Sequence, residues 1–286
     1  MNISVIIPTC NRNDLLSKCL GQLAPSSQVL KAENYEVIVT DDSKDNNARS
    51  LVEANYPWAK WVEGPKRGPA SNRNNGATLA SGKWIAFIDD DCLPDKNLLA
   101  EYQKAILTNP EAEVFEGCIK ANREKRSFVE ESPVNEKGGY LWSCNFIIKK
   151  SLFEEMAGFD EGFPFAAVED VEFHYRLQKS RKRIVFVEPA VVIHPWRVQK
   201  KVFSATSKRF KSLLFFLNKH PEKANSLDSK FYFRISFRGL KSLVTESFKY
   251  RFRGVGGRLI FCFLHFYFGL YLLMRPLWVR KNAVPA

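Results

Sequence analysis

The chain has 286 residues, with 43 Lys+Arg against 31 Asp+Glu and a formal net charge of +12. At 45% hydrophobic and 13% aromatic residues it can bury a large core, which excludes a disordered or low-complexity chain. The charge is uneven: residues 1–199 carry 25 basic and 28 acidic side chains, whereas residues 200–286 carry 18 and 3, together with 13 of the 23 Phe.

Ile3–Ile7 is a short β-branched run closed by Pro8, the pattern of a buried parallel strand. No charged n-region precedes it, so the N-terminus reads as a strand and not a signal peptide, and the first domain is expected in the cytoplasm. Asn11–Leu23 carries Leu15, Leu16, Cys19, Leu20 and Leu23 at helical spacing. Tyr35–Thr40 reads as a strand, Asn46–Asn55 as a helix, Trp58–Val62 as a strand and Gly68–Ala80 as a helix. Trp84–Ile88 is a further strand, and Asp95–Thr108 a helix capped by Asp95 and stopped before Pro110. This alternation predicts an α/β fold, a Rossmann-like and mostly parallel sheet with helices on both faces. Beyond residue 112 the rhythm changes. Glu113–Ile119 and Trp142–Lys149 read as strands around a polar stretch, Phe159–Ala167 as a loop, Glu169–Gln178 as a helix, and Ile184–Val187 and Val191–His194 as two strands. The six cysteines show neither CxxC nor Cys/His spacing and read as reduced thiols.

In such sheets ligands bind at the carboxyl ends of the strands. Asp41-Asp42-Ser43 and Asp89-Asp90-Asp91 both fall there. Three consecutive carboxylates repel one another and persist when exposed or when a cation neutralises them. Mg²⁺ and Mn²⁺ combine carboxylate oxygens with substrate phosphate oxygens. The Asp41-Asp42 pair has two readings, an acceptor for a nucleobase or ribose and an N-cap for the next helix.

Four segments in this order, SVIIPTCNR (Ser4–Arg12), VIVTDDS (Val37–Ser43), RGPASNRNNGATLASGKWIAFIDDD (Arg67–Asp91) and VEDVEFHYRL (Val168–Leu177), resemble family 2 inverting glycosyltransferases of the GT-A fold. The resemblance covers about residues 1–197. It implies a catalytic domain over 1–199, with nucleotide-sugar binding in about 1–110 and the acceptor side in about 111–199. It also implies a nucleotide-sugar donor of UDP or dTDP type and a divalent cation, Mn²⁺ or Mg²⁺. Carried over position by position, Pro8, Thr9 and Arg12 would line the nucleotide pocket, and Asp42 would recognise the base with Asp41 beside it. Arg67, Asn72 and Arg73 would lie near the nucleotide and pyrophosphate. Asp89 would face the ribose and join Asp91 at the metal, with Asp90 toward the sugar. An inverting transferase needs one carboxylate to take the acceptor proton, and the resemblance assigns this to Asp170, next to Glu169. A helix N-terminus favours an ionised carboxylate; the other reading is an acidic pair that only caps the helix. Trp142 and Asn145 would lie beside the donor sugar. Phe165 would stack on a sugar or pack in the core. His194 is either a further metal ligand or a structural histidine.

In the last third, Thr206–His220 and Gly239–Arg253 read as basic amphipathic helices. Leu259–Met274 is uncharged over 16 residues, or ~24 Å of helix against a ~30 Å hydrocarbon core. With Arg275, Arg280 and Lys281 beyond it, this segment is expected to be interfacial or re-entrant. Residues 200–286 are therefore expected to attach a catalytic domain to the cytoplasmic side of the cell membrane, where lipid-linked saccharide acceptors reside. Two other classes compete with this expectation. A nucleic-acid-binding protein would explain the basic region but not the acidic clusters, and no RNP, zinc or helix-turn-helix signature occurs. A nucleotidyltransferase would lack its Gly-rich phosphate loop. The motifs leave open the donor sugar, the acceptor, the linkage position and the oligomeric state.

Overall fold

A computed structural model describes residues 2–223 and 226–282, with side chains in the last helix described to Met274. In chain order the elements are β1 (Ile3–Thr9), α1 (Asn13–Leu23), β2 (Tyr35–Asp41), α2 (Ala48–Asn55), β3 (Lys60–Glu63), α3 (Pro69–Thr78), β4 (Trp84–Phe87), β5 (Leu93–Pro94) and α4 (Leu98–Thr108). There follow β6 (Val114–Ala121), β7 (Glu130–Glu131), β8 (Phe146–Lys149), α5 (Lys150–Glu155), α6 (Glu169–Lys179), β9 (Ile184–His194), β10 (Arg197–Val198), α7 (Val202–Lys219), α8 (Ser229–Glu246) and α9 (Val255–Asn282).

The chain forms two compact units, one of residues 1–123 and 132–195, the other of Glu124–Glu131 and residues from Trp196 onward. The chain thus leaves the first unit for one short segment before returning to it, a division that charge and composition along the chain do not reveal.

The first unit is built on a sheet of order β3-β2-β1-β4-β8-β6-β9-β5. Alternation along the strands decides what each face buries. Ile3, Val5 and Ile7 of β1 join Val37, Val39 and Ala86 in one core, and Ile6 joins Ile38, Ile85 and Phe87 in the other. Both faces are therefore apolar and both are covered by helices. The sheet is a GT-A-like mixed one. β1 pairs in parallel with β2 and β4, β2 with β3, and β6 with β9, but β8 runs antiparallel between β4 and β6, and β5 antiparallel to β9.

The two strands expected at Ile184–Val187 and Val191–His194 are one strand, β9. Its register against β6 jumps from Gly117↔Val187 to Cys118↔Val191, so Glu188–Ala190 bulge out without ending the pairing. A side chain at Gly117 would collide with Asn145, Tyr102 and the Ala190 carbonyl, so the bulge requires glycine there. Asp95 does not cap α4; Asn97 is its N-cap residue, and Asp95 Oδ1 accepts the Asn97 N–H at 2.8 Å.

Within the second unit, β7 and β10 form a two-residue antiparallel ladder, and α7, α8 and α9 form a helical group. The helix expected at Gly239–Arg253 is displaced. α8 is capped by Asp228, whose side chain accepts the Phe231 N–H at 2.9 Å, and ends at Glu246. Arg251, Phe252 and Gly254 all have left-handed backbone (φ 50, 59 and 81), which no α-helix can accommodate. The uncharged run at Leu259–Met274 lies inside the longer helix α9, whose segment Val255–Met274 reaches 20 residues, enough by length and composition to cross a membrane. Length therefore does not exclude a span. Arg275, Arg280 and Lys281 fall outside the residues whose side chains are described.

Candidate active site

Parallel pairing sets the carboxyl ends of β2, β1 and β4 side by side, so residues distant in sequence meet at one edge. Pro8 and Thr9 end β1. The Thr9 hydroxyl donates to Asp90 Oδ2 at 2.7 Å, and Arg12 Nη2 lies 2.8 Å from Asp90 Oδ1 and Nη1 3.5 Å from Asp91 Oδ2. Asp90 is fully buried, and burial pushes its carboxyl up to about 7, against the pull of Arg12 and the Thr9 hydroxyl. The middle aspartate, expected toward the sugar, is directed to Thr9 and Arg12 and anchors the Asp89–Asp91 turn to β1.

Arg73, on α3, links this turn to α6. Nη2 donates to Asp89 Oδ1 at 2.6 Å, Nη1 lies 3.5 Å from Glu169 Oε1, and the guanidinium carbon sits 5.8 Å from the centre of the Phe159 ring. The Arg73 and Glu169 side chains are 5% and 8% exposed, so water screens them little. Burial works against the charge of Arg73, but Asp89 and Glu169 more than offset it and hold the guanidinium above its ordinary range. Burial likewise raises Asp89, but Arg73 prevails and keeps that carboxyl below the usual carboxylate range. Asp89 is thus turned to Arg73, and it does not join the cluster around Asp91.

α6 begins directly after Val168, whose backbone is left-handed (φ 78). A β-branched residue is strained in that region, and the strain sits immediately before Glu169 and Asp170. Asp170 is half-buried, and its Oδ1 accepts the Val171 N–H at 2.8 Å. Burial and then the Glu169 carboxylate push Asp170 up to about 7, against the pull of Arg73. Burial also raises Glu169, again against Arg73. The loop before α6 is pinned at one end by Asn74, which donates to the Phe159 carbonyl at 2.8 Å and accepts the Phe159 N–H at 2.9 Å. Phe159 itself packs among Phe87, Phe146, Phe153 and Phe173. Asn74 escaped the sequence reading because its partner is 85 residues away. Phe165 lies partly exposed in the same loop.

His194 closes β9 and is buried. Its Nδ1 is 3.0 Å from the Pro195 carbonyl, an acceptor, so Nδ1 carries a proton. Nε2 then faces Asp91 Oδ1 at 3.4 Å. A bare imidazole nitrogen and a carboxylate oxygen are both acceptors, and a shared proton or cation reconciles them. Asp91, His194 and Cys92 offer one donor atom each within 4.8 Å of one another. The Cys92 thiol hydrogen-bonds toward the Cys144 carbonyl and is pushed well above its ordinary range by Cys144 and by burial, so it stays protonated. Carboxylate plus imidazole is a donor set that fits Mn²⁺ or Mg²⁺, and a neutral thiol adds little for a hard cation. Cys92 was not singled out from the sequence, where adjacency to Asp91 was its one signal.

Four residues expected at the nucleotide side separate into different roles. Asp41 is fully buried, with Oδ1 accepting the Ser43 N–H at 2.9 Å and Oδ2 the Ala48 N–H at 3.0 Å. It holds the start of α2 next to Asp42. The Asn72 oxygen accepts from the Thr40 hydroxyl at 2.5 Å and its amide donates to the Thr40 carbonyl at 2.8 Å. It is a strut between α3 and β2. Asp42 accepts the Lys66 and Gly68 N–H groups at 2.8 and 2.9 Å and clamps the loop before α3. Arg67 is exposed and paired with Glu161 at 2.9 Å.

Trp142 stacks on Tyr140, with ring centres 5.7 Å apart and planes 7° off parallel. Asn145 is the other residue expected beside the sugar. It is buried, accepts from the Tyr102 hydroxyl at 2.7 Å and donates to the Cys118 and Ala190 carbonyls at 2.9 and 3.0 Å, so it stitches β6 to the β9 bulge. Buried Glu116 accepts the Gly139 N–H at 2.6 Å and anchors the polar loop before β8, a role that had no signal in the sequence.

Comparison with known proteins identifies the family and the fold. The sequence profile described as Glycosyl transferase family 2 matches residues 4–163. Validoxylamine A glucosyltransferase of Streptomyces hygroscopicus subsp. limoneus is 27% identical over 294 residues, covering 87% of this chain and 62% of that enzyme. The GalNAc(5)-diNAcBac-PP-undecaprenol beta-1,3-glucosyltransferase of Campylobacter jejuni is 32% identical over 178 residues, covering 56% of this chain and 55% of that one. The chain thus spans less than two thirds of the length of either relative. Among solved structures, S. aureus TarS in complex with UDP-GlcNAc superposes with a TM-score of 0.58 at 21% identity, over 76% of this chain and 67% of that one. The mannosyltransferase PcManGT from Pyrobaculum calidifontis, in complex with GDP-Man and Mn²⁺, gives 0.58 at 21% identity, over 77% and 64%. These two share the GT-A fold with the first unit's mixed sheet and covering helices. With a profile that matches more than half of its residues, the chain belongs to glycosyl transferase family 2.

Proposed function

We propose that the protein is an inverting, metal-dependent glycosyltransferase that moves a sugar from a nucleoside-diphosphate sugar of UDP or dTDP type to a hydroxyl of a lipid-linked saccharide, at a membrane surface. The observation that carries this reading is the Asp89–Arg73–Glu169 ion-pair chain, which ties the strand-end carboxylates to the first turn of α6. Asp170 then stands beside that chain as the base that accepts the acceptor's proton. The resemblance assigns it this role, and although Asp170 lies beyond residue 163, the last of the family match, its place beside Glu169 in the first turn of α6 supports the assignment. Pro8, Thr9, Arg12 and Arg67 line the donor side. Asp42 keeps capacity for a base N–H, since a carboxylate has about four acceptor sites and two are taken by the loop.

Asp91 and His194 would hold the divalent cation, which when bound offsets charge on the departing diphosphate. Arg12 stands next to the same turn and adds a fixed positive charge. His194→Ala is expected to weaken Mn²⁺ binding by at least about 10- to 100-fold, since losing even an outer-shell partner of a metal ligand costs that much and His194 would be a ligand itself. Titration of Mn²⁺ by electron paramagnetic resonance checks it, and an unchanged affinity makes His194 a structural residue.

A lipid-linked acceptor is supported by the second unit and by the Campylobacter relative, whose name specifies an undecaprenol-linked saccharide. One side of α9 packs on its own unit, with Phe268 stacked on Phe210 at 3.8 Å and the Ser236 hydroxyl donating to the Cys262 carbonyl. The other side exposes Leu259, Ile260, Phe263, Tyr267, Leu273 and Met274. An exposed apolar face of this extent marks a membrane or protein contact, and the basic surround favours an anionic bilayer over nucleic acid.

The direct test is incubation with UDP-, dTDP- and GDP-sugars and Mn²⁺, followed by addition of a polyprenyl-diphosphate saccharide. One nucleoside diphosphate should stabilise the protein, by about 2.7 kcal/mol at a hundred times its Kd, and should be released on transfer. Release of a sugar 1-phosphate would instead mean nucleotidyl transfer.

A further inference from the structure

The second unit contains a cavity of about 590 Å³ lined by Glu124, Lys125, Arg126, Lys249, Tyr250, Arg251 and Arg253. Five of these side chains are cationic and one is anionic. Like charges gathered around one cavity repel, and an anion between them removes the repulsion.

The cavity is built from two segments that are fastened together. The Arg253 carbonyl accepts both the Phe128 N–H and the Ser127 hydroxyl at 3.1 Å. The Phe128 and Tyr250 rings meet edge to face, with centres 4.9 Å apart. Gly254 is left-handed, and a Cβ there would lie 2.7 Å from the Ser127 hydroxyl, so the close approach of the two segments depends on glycine. Lys125 stands 5.7 Å from the centre of the Trp196 ring, and burial lowers its ammonium pKa, with Arg258 adding to the effect.

The turn that closes the cavity also carries apolar side chains into solvent. Phe248 is 83% exposed, Phe252 60% and, one helical turn earlier, Val244 80%. The Phe248 and Phe252 rings touch, with centres 5.4 Å apart. Exposed phenylalanines alternating with Lys249, Arg251 and Arg253 put apolar and cationic groups on one short turn. That pairing is complementary to the boundary between acyl chains and phosphates in an anionic bilayer.

We propose that Ser247–Gly254 is a membrane-docking turn, in which Phe248 and Phe252 enter the bilayer and the cavity of Lys125, Arg126, Lys249, Arg251 and Arg253 takes the phosphate of an anionic phospholipid headgroup. This rests on the membrane-attachment reading above and adds to it the residues and the ligand class.

The test is co-sedimentation of the full chain with vesicles of phosphatidylcholine alone and of phosphatidylcholine mixed with phosphatidylglycerol, for the wild type and two sets of variants. The altered side chains are exposed, so folding is expected to survive, and circular dichroism checks that. Lys249→Gln, Arg251→Gln and Arg253→Gln together should weaken binding to the mixed vesicles by about a hundredfold, taking about fivefold for each basic residue near the leaflet. The residual binding to neutral vesicles should not change. Phe248→Ser with Phe252→Ser should weaken binding to both kinds of vesicle. A triple Gln variant that binds mixed vesicles like the wild type overturns the phosphate site and leaves membrane attachment standing. A wild type that binds neither vesicle overturns membrane attachment and the proposal with it. A wild type that is stabilised by inorganic pyrophosphate but ignores both vesicles makes the cavity a site for soluble anions, which also overturns the proposal.

Discussion

Asp170→Asn is expected to lower the rate of sugar transfer by about 10²- to 10⁴-fold, the contribution of a positioned general base, while nucleotide binding stays intact. Asn occupies nearly the same volume and can keep its contact with the Val171 N–H, but it cannot accept the acceptor's proton. The pH profile gives a second readout. Burial and Glu169 push Asp170 up to about 7, so the base is protonated and idle below that value, and wild-type kcat should fall about tenfold per unit as the pH drops beneath it. The residual activity of the variant should lack this limb. The same shift has a consequence for stability with a definite sign. Between 3.8 and about 7 the folded protein retains a proton that the unfolded chain has released, so stability declines as pH rises across that window. Asn carries no such charge, and the variant should melt at a higher temperature than the wild type at pH 8. Turnover within a few-fold of wild type removes Asp170 from the mechanism.

The parts of the fold that the sequence disclosed are those set by local pattern. β-branched runs such as Ile3–Ile7 and Tyr35–Thr40 fall where β1 and β2 form, because alternating faces and buried parallel strands both demand such residues. The strand-end acidic clusters lie at one edge for the same reason. Long-range pairing was not legible. The antiparallel direction of β8 depends on how the chain returns past α4, and the continuity of β9 on a bulge opposite Gly117. In the site, residue type alone could not separate Asp41 from Asp42. The first is oriented inward by the Ser43 and Ala48 N–H groups, the second toward the Lys66–Gly68 loop. Asn72 and Asn145 are typical sugar-binding residue types, yet both spend their amides on strand edges far off in sequence. The left-handed turn at Arg251–Gly254 was hidden by a hydrophobic pattern that continues smoothly through it, since periodicity carries no information on φ.

Arg73→Met should have the largest effect on stability. Arg73 is buried with Glu169 and also paired with the partly exposed Asp89, and removing one partner of a buried ion pair costs about 3–5 kcal/mol because the charge left behind stays buried. Against a total stability of about 5–15 kcal/mol this is a large fraction, and chemical denaturation would register it as a marked fall in midpoint. Arg73→Lys separates the structural role from the functional one. A single ammonium keeps the charge but cannot present two nitrogens to two carboxylates, so one of the contacts to Asp89 and Glu169 should be lost. The stability loss should be smaller than for Met. Arg73 also pulls the Asp170 pKa down against burial and Glu169, so weakening it should carry the acid limb of the activity profile to higher pH. A residue that served only to hold the fold would leave that limb in place. An unmoved limb in Arg73→Lys would therefore confine Arg73 to scaffolding, and an unchanged denaturation midpoint in Arg73→Met would exclude the buried ion-pair chain altogether.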